Sequence, residues 1–412
     1  MHVRIFAIAI GMCLSLFTPI HAQEWTRFRG RNGTGISPAK GLPATITPQN
    51  TAWKIALPGV GHSSPVMWGK RLFVTSAEQT AAKRHLLCYS TADGKEMWRQ
   101  TFTFAPYTIH QYNTSASATP CVDEERVYCT WSSNEGFIVA AFTHEGKEIW
   151  KRDLGPHHTQ HGGASSPIVH GDLLLLAKED EGGPGCLLGL NRKTGETKWK
   201  VDRPSGPTAY ASPFIYKGAD GKDQLIWVST NQGVVSLDPA NGQLNWDTGG
   251  LFKLRTVGSP ILADGLIIAT SGEGGGSRSM AAVKPPSVGG KAEIAYRLTR
   301  GTSYVPAPLT SDGRIYFWGD GGIVLCVKAS NGETLWQERV TDTSKFFASP
   351  IMADGKIYNI SDRGELVVIA ASDTFKLLGN TDLGEPSNAA PAIANGCLFV
   401  RTVGHLYCVR AQ

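Results

Sequence analysis

A turn glycine followed four residues later by tryptophan occurs five times in this sequence, and no other feature constrains the fold as much. It first appears in Thr91-Ala92-Asp93-Gly94-Lys95-Glu96-Met97-Trp98. It returns at Gly146 and Trp150, Gly195 and Trp199, Gly242 and Trp246, and Gly332 and Trp336, each time with Lys, Glu or Gln directly after the glycine. A second mark runs in phase with the first: a proline that opens a run of alternating apolar positions, at Pro65, Pro120, Pro167, Pro213, Pro260, Pro308, Pro350 and Pro391. The intervals between these prolines are 55, 47, 46, 47, 48, 42 and 41 residues, the period of a β-propeller blade and not of a helical solenoid. Each unit therefore reads as one four-stranded antiparallel blade, and the chain as an all-β, eight-bladed β-propeller.

Within a unit, Asp-Gly between alternating apolar residues signals a two-residue hairpin at Asp354-Gly355, Asp264-Gly265 and Asp312-Gly313. The tryptophan falls on the fourth strand. The two ends of the array are complementary. Asn50-Thr51-Ala52-Trp53-Lys54-Ile55 resembles a fourth strand with none before it, whereas the unit after Pro391 supplies three strands and stops. Trp53 is thus expected to complete blade eight, sealing the ring and removing a free sheet edge. Two blades depart from the pattern: blade five lacks the tryptophan and has a Gly-Ser-Pro insertion over 272–290, and blade seven places Thr374 and Leu378 in the glycine and tryptophan slots.

The 412 residues would by length suggest two or three domains, but a closed repeat array makes one, because no blade can bury both faces alone. The net charge of +5 is spread over interspersed acidic and basic residues, which gives no argument for nucleic-acid binding. Residues 1–22 read as a Sec-type signal peptide: His2 and Arg4, an apolar run from Ile5 to Phe17, and Ala22 before the cleavage point. Cys13 follows Met12, where a lipoprotein signal needs a small residue, so no lipid anchor is expected. The chain is expected to be exported to the periplasm or secreted, with no membrane span and as a monomer; 23–49 forms an extended N-terminal segment that crosses the propeller or hangs free, and 50–412 the propeller. Cys88 and Cys326 stand six residues before a turn glycine, a slot that holds Ala140, Gly189 and Ser236 elsewhere. With Cys408 they read as small packing residues. Cys121 falls opposite Tyr128 in its hairpin and Cys129 on the other face, so no disulfide is expected between them.

Leu190-Asn191-Arg192-Lys193-Thr194-Gly195-Glu196-Thr197-Lys198-Trp199 resembles the tryptophan-docking repeat of the quinoprotein (pyrroloquinoline-quinone-like, PQQ-like) propeller superfamily. The resemblance covers about 51–412, and Trp25-Thr26-Arg27-Phe28-Arg29-Gly30 looks like the opening of secreted bacterial proteins in that group. It implies a docking role for Trp53, Trp98, Trp150, Trp199, Trp246 and Trp336, each indole packed between neighbouring blades. One branch of the superfamily consists of periplasmic quinoprotein dehydrogenases. Another includes non-catalytic propellers, among them the lipoprotein of outer-membrane protein assembly. A dehydrogenase of this kind would need an adjacent cysteine pair over the quinone and a Glu, Asn and Asp set for calcium and proton transfer. No two cysteines are adjacent here. Glu179, Asn231 and Asp320 lie after second strands and could face the axis, but their spacing does not single them out.

The loops leading into first strands and those leaving second strands open on one face. Three consecutive leading loops carry histidine: His62; His110 with Tyr112 and Asn113; and His157, His158 and His161. These residues, with Glu179, Asn231 and Asp320, are the expected rim of a ligand funnel centred on blades one to three. A metal on His158 and His161 would need a helix to aim both rings, so a metal-free rim is expected. Motifs for a nucleophile elbow, a phosphate loop or a zincin are absent. The expected function is a non-catalytic scaffold that binds a protein, glycan or small molecule, with no cofactor. The alternative is a PQQ- and calcium-dependent dehydrogenase of alcohols or sugars.

Overall fold

The structure, a computed structural model, describes residues 25–411 apart from 106 and 288–290; the expected signal peptide lies outside the described residues. Seven antiparallel blades are each built from four consecutive strands, and the eighth joins the last three strands of the chain to one from its beginning. Blade one comprises Val66–Trp68, Arg71–Glu78, Lys83–Ser90 and Glu96–Thr103. First strands span two to four residues throughout and converge on the axis, where space is least. In the hairpins read from sequence, Asp264, Asp312 and Asp354 have φ of 50°, 48° and 51°, each followed by a positive-φ glycine, the conformation of a type I′ turn. Cys121 pairs with Tyr128 as expected, and all seven described cysteines are free thiols.

The ring closes through the chain ends. Thr51–Ala56 pairs antiparallel with His405–Arg410, with Trp53 opposite Cys408, so the first long strand of the chain is the outer strand of blade eight.

Six of the eight blades dock on the next through an aromatic residue of the fourth strand. The indole Nε1 of Trp53 donates to Thr91 O at 3.1 Å, Trp98 to His144 O at 2.8 Å, Trp150 to Arg192 O at 3.0 Å and Trp199 to Pro239 O at 3.0 Å. The same indoles cover the turn glycines, and a Cβ on Gly94, Gly146, Gly195 or Gly242 would lie within 3.0 Å of ring carbons. Across the strand pair, tryptophan faces the small slot: Cys88, Gly189, Ser236, Cys326 and Cys408. In blade two that slot is Ala141 and not Ala140, because the turn is one residue shorter, with Thr143 N bonding Lys147 O.

The departing blades have physical explanations. In blade five Tyr296 takes the tryptophan slot, lies over Gly332 and donates its hydroxyl to Ala329 O at 2.6 Å. Only part of 272–290 is an insertion, since Arg278–Lys284 is the third strand of that blade. In blade five Ala292, and not glycine, stands four residues before Tyr296, and the Nε1 of Trp246 turns back to Gln224 Oε1 at 3.0 Å. In blade seven the turn is one residue longer, with Ala370 N bonding Lys376 O, which puts Phe375 and Gly379 in the two slots in place of Thr374 and Leu378. A tryptophan there would have nothing to dock on. The third and fourth strands of blade eight come from opposite chain ends, so no turn joins them. Ala44 O fills the space instead, 2.1 Å from where a Cβ on Gly379 would stand.

The N-terminal segment crosses the face opposite the leading loops and caps the free edges of inner strands. Met67 N donates to Trp25 O, Val122 N to Thr26 O and Met352 N to Gly35 O. Ile36–Ser37 adds a parallel strand to blade seven. Arg27 Nη2 donates to Pro213 O at 2.5 Å and Arg29 Nη2 to Pro308 O at 2.8 Å, so two of the repeated prolines bind the segment that plugs the channel.

Candidate functional site

Aligning the blades on their prolines exposes the axis. The residue three positions before each proline is His62, Ser117, Ala164, Tyr210, Val257, Val305, Phe347 or Asn388, and all eight line one axial chamber of about 160 Å³ with Phe28 at its base. The residue directly before the proline forms a second ring that ties blade to blade. Ser64 N donates to Thr119 Oγ1, Thr119 N to Ser166 Oγ, Ser212 N to Ser259 Oγ and Ala307 N to Ser349 Oγ, at 2.9, 2.9, 2.9 and 3.0 Å. Small residues recur before the prolines because the inner strands of eight blades meet here.

Above the chamber opens a funnel of about 650 Å³. Its walls are aromatic: Tyr112 and Phe347 have ring centroids 4.9 Å apart, His110 and His161 are 4.7 Å apart, and Tyr210 meets His161 edge-on. Tyr304 also lines it. The leading loop of blade two reaches over the axis to blade seven, where Lys345 Nζ donates to Tyr112 Oη at 3.2 Å and lies 5.3 Å from its ring centroid. Asn113 Nδ2 anchors that loop on His161 O at 2.6 Å. His110, Tyr112, Asn113, His161 and Asp320 thus come together as expected, with His62 lower, in the axial chamber.

The other expected rim residues do not. His157 is buried against Phe137 with Nε2 2.9 Å from Glu179 O, and exposed His158 bonds Asp180 only through its backbone N–H. Glu179 is a core residue, ion-paired with Arg203 and accepting from Ala209 N at 2.9 Å. Exposed Asn231 lines neither cavity. The funnel spans blades two to seven and is not centred on blades one to three. Among the described residues, no group of three or more His, Cys, Asp or Glu is placed to hold a metal ion. His158 and His161 diverge because nothing in their loop aims both rings at one point.

Electrostatically the funnel is largely self-compensated. Arg255 binds Glu181 with both terminal nitrogens at 2.9 and 2.8 Å. Burial alone would raise the Glu181 carboxyl, but Arg255 and the Thr208 N–H outweigh it and hold it down at about 2. Burial, then the charge of Arg255, push His161 down to about 4, so it is neutral near pH 7. Asp320 accepts from Tyr304 N and Val305 N at 3.0 and 3.3 Å; burial nevertheless raises its carboxyl. Arg278 stands 3.7 Å from it. Sequence reasoning missed Tyr210, Tyr304, Arg278, Lys345 and Phe347. For Tyr210 and Phe347 the signal was available, since both stand three residues before a blade proline.

The sequence matches the family model described as outer membrane protein assembly factor BamB over 45–275, 263–377 and 322–412. No curated protein sequence matches it. Among solved structures, BamB from Moraxella catarrhalis superposes with a TM-score of 0.63 at 15% identity, covering 87% of this chain and 99% of that one. Quinohemoprotein alcohol dehydrogenase from Comamonas testosteroni gives 0.68 at 13%, covering 94% and 80%. Sqt1 from Saccharomyces cerevisiae gives 0.60 at 10%, covering 90% and 98%. At such identities the superpositions speak for the fold alone. The family match covers almost the whole propeller: the chain belongs to the BamB-type family of PQQ-like β-propellers.

Proposed function

We propose that this protein is an exported, non-catalytic binding propeller that takes its ligand or partner segment into the aromatic funnel. The observation that carries this reading is the composition of the funnel wall. Tyr112, Tyr210, Tyr304, Phe347 and two histidines supply stacking faces, whereas Asp320 is the one carboxylate among the described lining residues. Calcium sites gather several oxygen ligands, and quinoprotein oxidation needs a base beside them. Concave, mostly apolar sites with a few polar groups suit small molecules, sugar rings and peptide side chains. The family description, an outer-membrane assembly factor, supports an interaction role and a periplasmic location, in keeping with the apolar leader of the sequence. The described residues contain no helix long and apolar enough to cross a membrane.

The competing reading is a PQQ-dependent dehydrogenase, which the likeness to the Comamonas enzyme keeps in play as a fold. Reconstitution with PQQ and calcium separates the two. The binding reading expects neither quinone-specific absorbance nor dye reduction with alcohols or sugars; both together would replace it. Sedimentation of the mature chain is expected to give a monomer.

A further inference from the structure

The axial chamber beneath the aromatic funnel differs from it in chemistry. Thr119, Ser166, Ser259 and Ser349 line it and are each at least nine-tenths buried. Their hydroxyl oxygens are taken up by backbone N–H groups of neighbouring blades. No acceptor for their own O–H hydrogens is found among the described residues, so these hydroxyls stand as donors. Asn388 Oδ1, on the same wall, also has no hydrogen-bond partner.

Charge around the chamber has one sign. Arg27 and Arg29 flank Phe28, which forms the base; both guanidiniums are buried on carbonyl oxygens, with Arg29 Nε and Nη1 unpartnered. Arg401, fully buried, donates to Ser63 O and Oγ at 2.9 and 2.7 Å and lies beside the loop that carries His62. Among the described residues, no carboxylate forms an ion pair with any of the three and none lines the chamber. Burial lowers Arg27 to about 10 and Arg29 and Arg401 to about 9, so all three remain charged near pH 7. Burial with the field of Arg401 pushes His62 down to about 4, so it is neutral there. Buried cations without counter-ions are costly, and in a low-dielectric channel their field is weakly screened.

We propose that the axial chamber is a binding site for a small oxyanion, a carboxylate or a phosphate, which accepts from the hydroxyl ring and offsets the three arginines. The site rests on the same funnel as the proposed function but not on its aromatic wall. The acid group of a ligand that enters from above would seat here, below Tyr112.

Calorimetric titration of the full mature chain with inorganic phosphate and, separately, with acetate, at fixed ionic strength, tests this and distinguishes the two sources. Replacing Arg29 would unseat the N-terminal plug, so the informative variant is the isosteric Asn388→Asp, which places a carboxylate in the chamber. Saturable binding of at least one probe at one site is expected, weakened about tenfold or more in Asn388→Asp. The variant is also expected to unfold at the parent's denaturant midpoint or above it in anion-free buffer. Absence of binding by both probes, undiminished binding by the variant, or a variant midpoint clearly below the parent's would each overturn the proposal. None of these outcomes bears on quinone reconstitution, which reads the funnel above.

Discussion

Gly195→Ala isolates the docking of one blade on its neighbour. Gly195 has φ +73°, and an added Cβ would stand 2.6 Å from Cε3 of Trp150. An L-residue in that region costs about 1–2 kcal/mol, and an extra methyl forced into a packed contact a further 1–3 kcal/mol or so. The natural control is Gly171→Ala: φ there is +53°, but nothing lies within 4 Å of the new Cβ. Only the first cost applies. Urea unfolding followed by far-UV circular dichroism should show Gly195→Ala destabilised by about 2–5 kcal/mol and Gly171→Ala by about 1–2 kcal/mol. Adding Trp150→Leu to each should narrow the gap, because the second cost needs the indole. Equal losses at the two glycines in the tryptophan background would refute the docking argument.

Arg203→Ala leaves Glu179 unpaired in the core and should cost about 3–5 kcal/mol, whereas Glu179→Gln with Arg203→Met should recover much of it in the same urea assay. Trp25 is 2% exposed beneath the ring, so Trp25→Ala should lower stability by about 3–5 kcal/mol, read from denaturant midpoints. His62, His157 and His161 are all held at about 4, chiefly by burial, against 6.5 when unfolded. Their stabilisation is complete above pH 6.5 and falls away as pH drops toward 4, because the unfolded chain takes up protons that the fold does not. The midpoint should therefore decline over that window, less steeply in His157→Gln.

The blades were legible because the docking contact has a fixed local spacing: Gly195 and Trp199 must lie four apart for each to meet a neighbouring blade. The places where the reading slipped are places where turn length changes. One residue lost before Gly146 moved the small slot to Ala141, and one gained before Phe375 moved two slots in blade seven. Tyr296 escaped notice because an aromatic ring with a polar tip can replace an indole without preserving the motif. The plug was not readable, since Arg27 and Arg29 bind carbonyl oxygens, which every residue carries. The site was half legible. His110, Tyr112, Asn113 and His161 were found as unusual residues in leading loops, but His157 and Glu179 turn into the core and His158 faces solvent. Residue type alone does not report direction, whereas distance from the blade proline does.

The funnel, the chamber and the plug all require that the ring be sealed by the chain's two ends. Hydrogen exchange of the strand amides tests this most directly. Thr51–Ala56 and His405–Arg410 pair as one ladder, so their amides should exchange together, at a free energy near that of global unfolding. Fast exchange of Thr51–Ala56, as in a frayed terminus, with His405–Arg410 still protected would contradict closure and the axial site with it.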